Sequence, residues 1–562
     1  MKLDRRSVLG ASVGICGLLL VPCGPAHGRD TRVIGDVSVG YEYTERTYAA
    51  PEEQVEGEPV VDSRDDGNEG DTRKFFIAPR VTVLSSGVTD LIQFTYSPRF
   101  THDNISDSNE VEHDLGLRYE NSLTKRWKVQ VSDNLYVGDD SVRESVTRTA
   151  DIDPEAEETG SETIGADTDQ GIVNGNLTER VGRHRFWRNN LGFETDYAFG
   201  EDSLVGAGIH YEKLDNIDEI ESGYTPYDRY FGLLRFAYRF NRRWTTDLEF
   251  NYTKGDFEES TVYVVSQAAA GLTDTTAGDQ TVQDQDVAAT TGKEEGGAAD
   301  AADAASPTDT QESALPVDVD VRAEDVSEDL QEYRFMGGLH YLWSARDRLS
   351  LFYEYLATDY DHPLREDTQV HQLALNWGHD FSAHLHMTLS GGPTFEKQDS
   401  SSWSGDYNAH AGLTWDFYRG MFRIYADKRY TQENFNGRQD GLTDSWTAGV
   451  ELSYTVVKDL AATLFATYED KQRYQRPVTN TPTVITEEQL DELAQMQEEG
   501  EQTSYHEKNS SIGTRLSYTF GRWYTVSAVY RFTNHDIDLA GDEYDEHRFY
   551  IQFTVSRNLF RW

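Results

Sequence analysis

Hydrophobic and polar residues alternate strictly along positions 445–468 of the chain. Every second position from Trp446 to Val456 is apolar or aromatic, and the alternation resumes at Ala462 after a short break. A repeat of two residues is that of a β-strand, so the segment predicts two antiparallel strands joined by a tight turn. Such a hairpin has one apolar face and one polar face, and the rest of the chain must indicate what each face contacts.

The same pattern recurs along the chain and predicts about 20 strands, within a range of roughly 18 to 22. The predicted strands average about ten residues. Strands of soluble proteins average about 5–6 residues, whereas about 9–11 residues are needed to cross a bilayer. The connections alternate between tight turns and long links, so the short connections fall at one end and the long ones at the other, as in barrels that span a membrane.

Three of the long links are acidic: 138–185, 255–329 and 470–508. The link at 255–329 is rich in Ala, Asp, Thr, Gln and Gly and nearly free of aromatic residues, so we expect a disordered acidic loop. The link at 470–508 has a capping box at Thr486 and Gln489 and ends in Gly500. It predicts a short helix that packs on the rim of the barrel, with a partner-binding helix as the alternative.

The polar faces of the predicted strands carry many ionised side chains. In a dry interior each would cost several kcal/mol, so this face needs water. The apolar face then contacts lipid, where only a closed barrel satisfies every backbone group. The predicted fold class is all-β, a transmembrane antiparallel up-and-down β-barrel with short periplasmic turns and long acidic extracellular loops. The residues expected to line its lumen are Arg80, Arg99, Arg118, Glu194, Arg235, Glu249, Arg334, Glu354, Asp416, Arg423, Glu451, Arg515 and Arg531, with Arg188 and Asp196 on the same face.

Tryptophan residues mark the ends of the predicted strands. Amphipathic rings at this level form the aromatic girdle of a membrane interface. Trp187 and Trp446 begin strands at the end with long links. The tryptophans within a few residues of a tight turn are Trp127, Trp244, Trp343, Trp377, Trp415 and Trp523.

The first 28 residues predict a secretory signal peptide. They have a positively charged start, an apolar segment at 8–21 and small residues at Ala26 and Gly28, where cleavage is expected. Both cysteines of the chain lie in this segment, so the mature chain, 29–562, can form no disulfide. No later stretch approaches the about 18 apolar residues of a membrane helix, and we expect 29–562 to form a single barrel domain.

The overall charge restricts the partners of the protein. The net charge is −48 and the mean hydropathy is −0.66. A chain this acidic repels nucleic acid and anionic surfaces. With a signal peptide and an even number of strands, both termini are expected in the periplasm and the acidic loops outside the cell. The expected location is therefore the outer membrane.

The C-terminal sequence "RFYIQFTVSRNLFRW" has the alternation of a last barrel strand. Phe549, Ile551, Phe553 and Val555 are in phase, whereas Trp562 is out of phase. Either a bulge interrupts the strand at 556–558 or the strand ends near Val555. With this ending, the chain resembles the bacterial outer-membrane β-barrel superfamily, whose terminal strand, with a final aromatic residue, is read by the barrel-assembly machinery. The size of the chain, its long polar loops and its "NLF" ending are similar to those of β-barrel porins associated with exopolysaccharide and exosortase-type systems.

The sequence shows no enzyme motif, nucleotide-binding motif or zinc motif. Segment 62–73 has the outline of a calcium loop, but Arg64 and Arg73 occupy ligand positions, so it is not an EF-hand. We interpret His210, His340 and His410 as hydrated wall residues and expect neither metal nor cofactor. An outer-membrane lipase or protease has no support in the sequence, so no enzymatic activity is expected.

Three functions remain open from the sequence, and an outer-membrane enzyme is the least favoured of them. The first is a channel for hydrophilic solutes, with exopolysaccharide export as a special case. The second is a barrel closed by its loops, which serves as an assembly partner, adhesin or receptor. The expected partners are outer-membrane lipid, the barrel-assembly machinery and, for a channel, a hydrophilic solute or polysaccharide.

Overall fold

The structure is a computed structural model that describes residues 29–48, 71–138, 185–217, 224–258, 260–267, 319–362, 365–398, 402–435, 441–474, 483–486, 505–537 and 543–562. The predicted signal peptide lies outside these residues. No helix in the described ranges is long and apolar enough to cross a membrane.

Strands make up nearly all of the described chain. They are β1 (Asp30–Tyr48), β2 (Thr72–Ser86), β3 (Asp90–Tyr96), β4 (Arg99–Asp103), β5 (Ser108–Ser122), β6 (Trp127–Gly138), β7 (Phe186–Gly200), β8 (Ser203–Asn216), β9 (Tyr227–Arg239), β10 (Trp244–Phe257), β11 (Ser260–Gln267), β12 (Val319–Val326), β13 (Leu330–Leu342), β14 (Asp347–Tyr360), β15 (Thr368–Ser382), β16 (Leu385–Gln398), β17 (Ser404–Phe417), β18 (Gly420–Gln432), β19 (Leu442–Val457), β20 (Leu460–Arg473), β21 (Thr483–Thr486), β22 (Tyr505–Phe520), β23 (Tyr524–Ile537) and β24 (Tyr544–Arg561).

The main sheet closes on itself, because β1 pairs antiparallel with both β2 and β24. Each other barrel strand pairs with its neighbours along the chain. The strands β3 and β4 act as one barrel strand, since both pair with β2 and β5 in a single register that is interrupted at Ser97 and Pro98. In that register Pro98 faces Pro79, and two prolines remove the backbone donors that the ladder needs. The barrel has 20 strands, as the alternation predicts.

One end of the barrel has only tight turns of two to four residues, whereas the other end has every long connection together with short ones such as 104–107. The two termini meet at the end with tight turns, where the backbone amide of Thr31 donates to the carbonyl of Trp562 at 2.9 Å. Asp202 and Asp459 lie in two-residue turns at this end with φ of 52° and 69°, a conformation that aspartate tolerates better than most residues. The long links all lie at the other end.

A second sheet at the loop end corrects the prediction of a fully disordered link at 255–329. There β11 pairs antiparallel with β12 and parallel with β21. Both segments are rich in β-branched residues, a local signal that the composition of the whole link hides. Residues 268–318 lie outside the described part of the chain. The same holds for the predicted helix after Thr486, the last residue of β21.

The outer face of the barrel carries the apolar side chains of the alternation. Leu375, Leu464 and Ile512 are more than half exposed, at 58%, 54% and 58%. A polar pair interrupts this face, because Asn189 Nδ2 donates to Asp133 Oδ1 at 2.8 Å. The tryptophans that the sequence places near tight turns are all exposed: Trp127, Trp244, Trp343, Trp377, Trp415 and Trp523.

Of the two alternatives for the C-terminus, the last strand has the bulge, but one residue beyond the predicted 556–558. Val33 pairs with Phe560 and Ile34 with Asn558, which leaves Leu559 as the extra residue. Its side chain occupies the space beside Gly35, where an added Cβ would lie 2.7 Å from Leu559 Cδ1. The extra residue shifts the alternation by one, so Phe560 and Trp562 return to the apolar face.

Candidate functional site in the barrel lumen

The charged residues predicted to line the lumen all lie on the inner face of the wall. The register of the hairpin at 445–468 shows which residues face outward and which face the lumen. Leu452 pairs with Leu464 on the outer face, while the adjacent Glu451 pairs with Arg423 on the inner face. Successive side chains of a strand point to opposite faces, so the phase of each strand follows from such pairs.

On one side of the lumen these charges pair with each other. Arg235 lies 3.1 Å from Glu194 and 2.7 Å from Asp196. Arg334 lies 2.6 Å from Glu354. The inner face of β7–β17 therefore holds its arginines in ion pairs, and we call it the paired arc. Arg188 is likewise 2.6 Å from Glu212, Arg118 is paired with Glu120 on β5, and Glu249 accepts from Asn251 at 2.9 Å.

On the other side of the lumen, formed by β18–β24 and the adjacent β1–β4, some arginines share a carboxylate or face one another, although carboxylates such as Glu507 are present as well. Glu42 is shared by Arg99, at 3.1 Å, and Arg548, at 2.8 Å. Arg531 lies directly opposite Arg548 in the register of β23 and β24. We call the inner face of β18–β24 the basic arc.

Arg423 and Arg515 of the basic arc have no carboxylate within 4.0 Å among the residues that the structure describes. Glu451 is directly opposite Arg423 but instead accepts from Ser453 Oγ at 3.1 Å. Arg515 Nε is buried without a hydrogen-bond partner in the same part of the chain. Neither guanidinium is neutralised by a carboxylate of the described residues, so each can bind an anion through its accessible N–H groups.

The loop end of the lumen is crossed by a hairpin that leaves the wall. β17 and β18 are paired only as far as Ala409 and Lys428, whereas β18 and β19 stay paired up to Gln432 and Leu442. Beyond Lys428 the two strands therefore separate from β17 together. We call residues 430–435 and 441–443 the inward hairpin.

The base of the inward hairpin packs on the inner face of β14–β17. Gln372 Nε2 donates to the carbonyl of Tyr430 at 3.3 Å, and the Tyr430 hydroxyl donates to Asp406 at 2.9 Å. Leu442 and Tyr430 are buried in one apolar cluster with Leu356 and Val370, which are inner-face residues of the wall. Tyr430 and Leu442 have the phase of lipid-facing residues on their strands. Because the hairpin leaves the wall, this face packs instead on the inner face of β14–β17.

The tip of the inward hairpin reaches the inner face of β9–β14. Asn434, which is 1% exposed, donates to Glu332 at 2.7 Å and accepts from the Tyr360 hydroxyl at 3.1 Å. The Phe435 ring lies 5.3 Å from that of Tyr227, and the Tyr227 hydroxyl donates to the Phe435 carbonyl at 3.1 Å. The hairpin therefore spans the lumen and is fixed by specific contacts at its far end.

An apolar cluster receives this tip. We call it the aromatic seat; its buried members are Phe186, Leu214, Tyr224, Tyr227, Phe257 and Leu330, with Tyr136 and Tyr360 beside them. Arg229 covers the Phe435 ring with its guanidinium carbon 4.4 Å from the ring centroid. The alternation does not reveal this dry region, because Tyr227, Phe257 and Leu330 lie three to five residues beyond the strands that it predicts at 230–240, 244–252 and 333–343. Each of these residues lies an even number of positions from an inner-face residue of its own strand. This spacing is the sequence signal that could have revealed the apolar cluster.

A charged anchor holds the other side of the hairpin. Glu433 lies 3.0 Å from Arg473 and 3.3 Å from Lys471, and Arg473 also lies 2.7 Å from Glu507. Burial disfavours the ionised form of Glu433, but Lys471 and Arg473 outweigh it and lower the pKa of this carboxyl. The inward hairpin is therefore bound on one side by ring packing and on the other by ion pairs.

The three histidines that the sequence predicts as wall residues each lie beside a carboxylate of the inner face. His340 contacts Asp247 and lies 2.8 Å from Ser350 Oγ. His410 lies 3.2 Å from Asp427, and His210 lies 3.3 Å from Glu194. No group of three potential metal ligands occurs among the described residues.

The fold and this interior define the class of the protein. A closed antiparallel barrel of 20 strands with an apolar outer belt and a charged inner face has the fold of a transmembrane β-barrel. No protein-family model matches the chain, and no curated protein matches it.

Solved structures with a similar fold include several bacterial proteins. The siderophore receptor PirA from Pseudomonas aeruginosa has 8% identity and a TM-score of 0.42, with coverage of 94% of this chain and 80% of that one. Pseudomonas aeruginosa OpdQ has 8% identity and a TM-score of 0.37, covering 94% and 98%. Acinetobacter baumannii OccAB4 has 9% identity and a TM-score of 0.37, covering 95% and 100%. Similarity at this level assigns neither a ligand nor an activity to this chain.

Proposed function

We propose that the protein is an outer-membrane channel for hydrophilic solutes, with the periplasm at the turn end and the cell exterior at the loop end. The observation that carries the proposal is the unpaired charge of the inner face, above all Arg423 and Arg515. Ionised groups without a protein partner require water, so a water-filled lumen explains them and a packed interior does not.

The inward hairpin gives this channel a constriction near its outer end. Its tip crosses to the aromatic seat, so solutes must pass beside residues 430–435 rather than through the full width of the barrel. Its anchors are numerous enough to make the constriction a fixed part of the lumen. The protein then transports without chemical conversion of the solute, and we propose no enzymatic activity.

A barrel closed by its hairpin and loops is the second candidate, and the aromatic seat favours it. Such a protein would serve as a receptor, adhesin or assembly partner. Exopolysaccharide export remains a special case of the channel, supported by the resemblance of the chain ending to porins of such systems. Phe560 and Trp562 lie on the apolar face of the last strand. For a channel and for a closed barrel alike, this arrangement supports recognition of the strand by the barrel-assembly machinery.

The test is conductance in planar lipid bilayers with detergent-extracted protein. Folding is verified first, because a closed barrel migrates differently on a denaturing gel before and after boiling. We expect stepwise current increases from the folded form and none from the boiled form. Folded protein that gives no current would reject the channel and favour the closed barrel, and identical migration of the two samples would contradict a membrane barrel altogether.

A further inference from the structure

We propose that the inner face of β18–β23 binds carboxylated saccharides as they pass through the lumen. The proposal rests on the channel function above, since a solute must reach this face. It is carried by two units of the same construction in neighbouring parts of the basic arc. Each unit contains a glycine, an aromatic ring that covers it and an arginine beside the ring.

In both units the ring lies against the backbone of the wall. A Cβ added at Gly449 would lie 2.5 Å from Tyr425 Cε1, and one added at Gly513 would lie 2.5 Å from Phe465 Cζ. Each ring therefore occupies the space that a larger residue would fill. Because Tyr425 and Phe465 are only partly buried, each also presents apolar ring surface to the lumen.

An arginine accompanies each ring. The guanidinium carbon of Arg423 is 5.2 Å from the centroid of Tyr425, and that of Arg531 is 5.6 Å from the centroid of Phe465. Both distances lie within the range of cation–π contacts. Such contacts orient both guanidinium groups beside the rings. Arg423, whose cross-strand neighbour Glu451 accepts from Ser453 instead, keeps N–H donors for an anion.

Arg515 places a third guanidinium beside the second unit. It is two positions from Gly513 on β22, so both residues face the lumen. Neither Arg423 nor Arg515 has a carboxylate within ion-pair distance in the described chain, although the protein carries a net charge of −48. In so acidic a protein, arginines without a protein carboxylate indicate that the anion comes from the solute.

The ligand class follows from the combination of groups. Guanidinium groups bind carboxylates in bidentate geometry, and partly exposed rings pack against the apolar C–H face of a sugar ring. Tyr425 and Phe465 are two strands and two residues of register apart, about 12 Å at about 4.8 Å per strand and about 3.4 Å per residue, a separation of the order of the length of a disaccharide. A chain of uronic acid units offers a carboxylate and a ring face at each step. A small inorganic anion would not use the aromatic rings.

The experiment measures block of single-channel current by three probes added to one side of the bilayer. Trigalacturonate has carboxylates and sugar rings, maltotriose has sugar rings alone, and citrate has carboxylates alone. We expect trigalacturonate to block at concentrations roughly tenfold lower than either other probe, since hydrogen bonds to charged groups are among the stronger polar contacts. Equal block by citrate would overturn the saccharide part of the proposal, and equal block by maltotriose would overturn the anionic part.

Variants locate the site. Arg423→Gln and Arg515→Gln should each weaken block by trigalacturonate roughly tenfold, while Phe465→Ala should weaken it and leave block by citrate unchanged. The matched control is Arg235→Gln, which removes an arginine from the paired arc and should leave block unchanged. An equal effect of the control and the basic-arc variants would overturn the location.

A binding measurement separates this proposal from the channel function. Calorimetric titration of trigalacturonate into the detergent-solubilised, folded barrel needs no current. Binding that is lost in Arg515→Gln, from a protein without conductance, would reject the channel and keep the site. Conductance without such binding would keep the channel and reject the site.

Discussion

The outer and inner faces of this barrel follow different rules. The outer face is apolar through most of its height because lipid surrounds it at every strand. The Asp133–Asn189 pair interrupts it, and ion pairs such as Lys213–Asp228 lie toward the loop end. The inner face changes character from end to end. Toward the turns it carries charged groups such as Arg423 and Glu451, whereas toward the loops it becomes an aromatic cluster that holds the inward hairpin. Lipid surrounds the outer face and imposes an apolar pattern on it. On the inner face, contacts between protein groups can replace water locally, so the pattern changes from place to place.

The largest effect should separate the two faces at adjacent positions. Leu452→Arg places a charge on the outer face in mid-strand, where arginine costs about 2–4 kcal/mol, and should sharply reduce the yield of folded protein in outer membranes. Glu451→Arg places the same charge on the inner face, so it should insert normally and change only ion selectivity, measured as the reversal potential in a salt gradient. Tolerance at 452 with loss at 451 would mean that the faces have been assigned in reverse.

An intermediate effect should separate the two ends of the inner face. Phe435→Ala removes the ring that fills the aromatic seat and should weaken the anchoring of the hairpin by roughly 2–3 kcal/mol, less than the about 3–5 kcal/mol of a fully buried ring. The constriction should then widen, and single-channel conductance should rise with the barrel still folded. Tyr418→Ala is the control, because this aromatic residue lies in a tight turn and is 96% exposed. Unchanged conductance in Phe435→Ala would show that the hairpin does not limit the current.

The alternation of residues predicts the strands, their phase and the barrel class, because the bilayer imposes this pattern on every strand. It cannot predict the inward hairpin. Tyr430 and Leu442 keep the phase of lipid-facing residues, yet they are buried inside the barrel, since the hairpin turns this face toward the wall. A local pattern records which side of a strand is apolar, whereas the point at which a strand leaves the sheet depends on contacts with distant strands.

The sequence does contain a trace of this departure. Lys428 and Asp444 fall on positions that would face lipid if the wall were continuous, and charges there are costly. In the structure Lys428 is paired with Asp406 and lies 3.3 Å from Asp444. At this hairpin, charges in the lipid phase of a long predicted strand coincide with the place where the strand bends inward. The pairing of the remaining charges depends on register between strands, which the sequence alone does not determine.

The smallest effect should come from acid acting on the charged anchor of the hairpin. Lys471 and Arg473 lower the pKa of Glu433 in the folded protein despite its burial, below the value of about 4.3 in an unfolded chain. A lowered pKa means that the anchor is complete above about pH 4.3 and is lost as the pH falls through the folded-state value. Conductance should therefore be constant between about pH 7 and 5 and rise below about pH 4 as the hairpin loosens.

Glu433→Gln isolates this group from the other carboxylates that titrate in acid, such as Asp406. The amide cannot ionise, so about 1–3 kcal/mol of anchoring should already be lost at pH 7. Its conductance at pH 7 should exceed that of the unmodified protein and rise less when the solution is acidified. If the variant and the unmodified protein instead show the same conductance at pH 7 and the same rise in acid, the ion pairs of Glu433 do not hold the hairpin, and the aromatic seat is its main anchor.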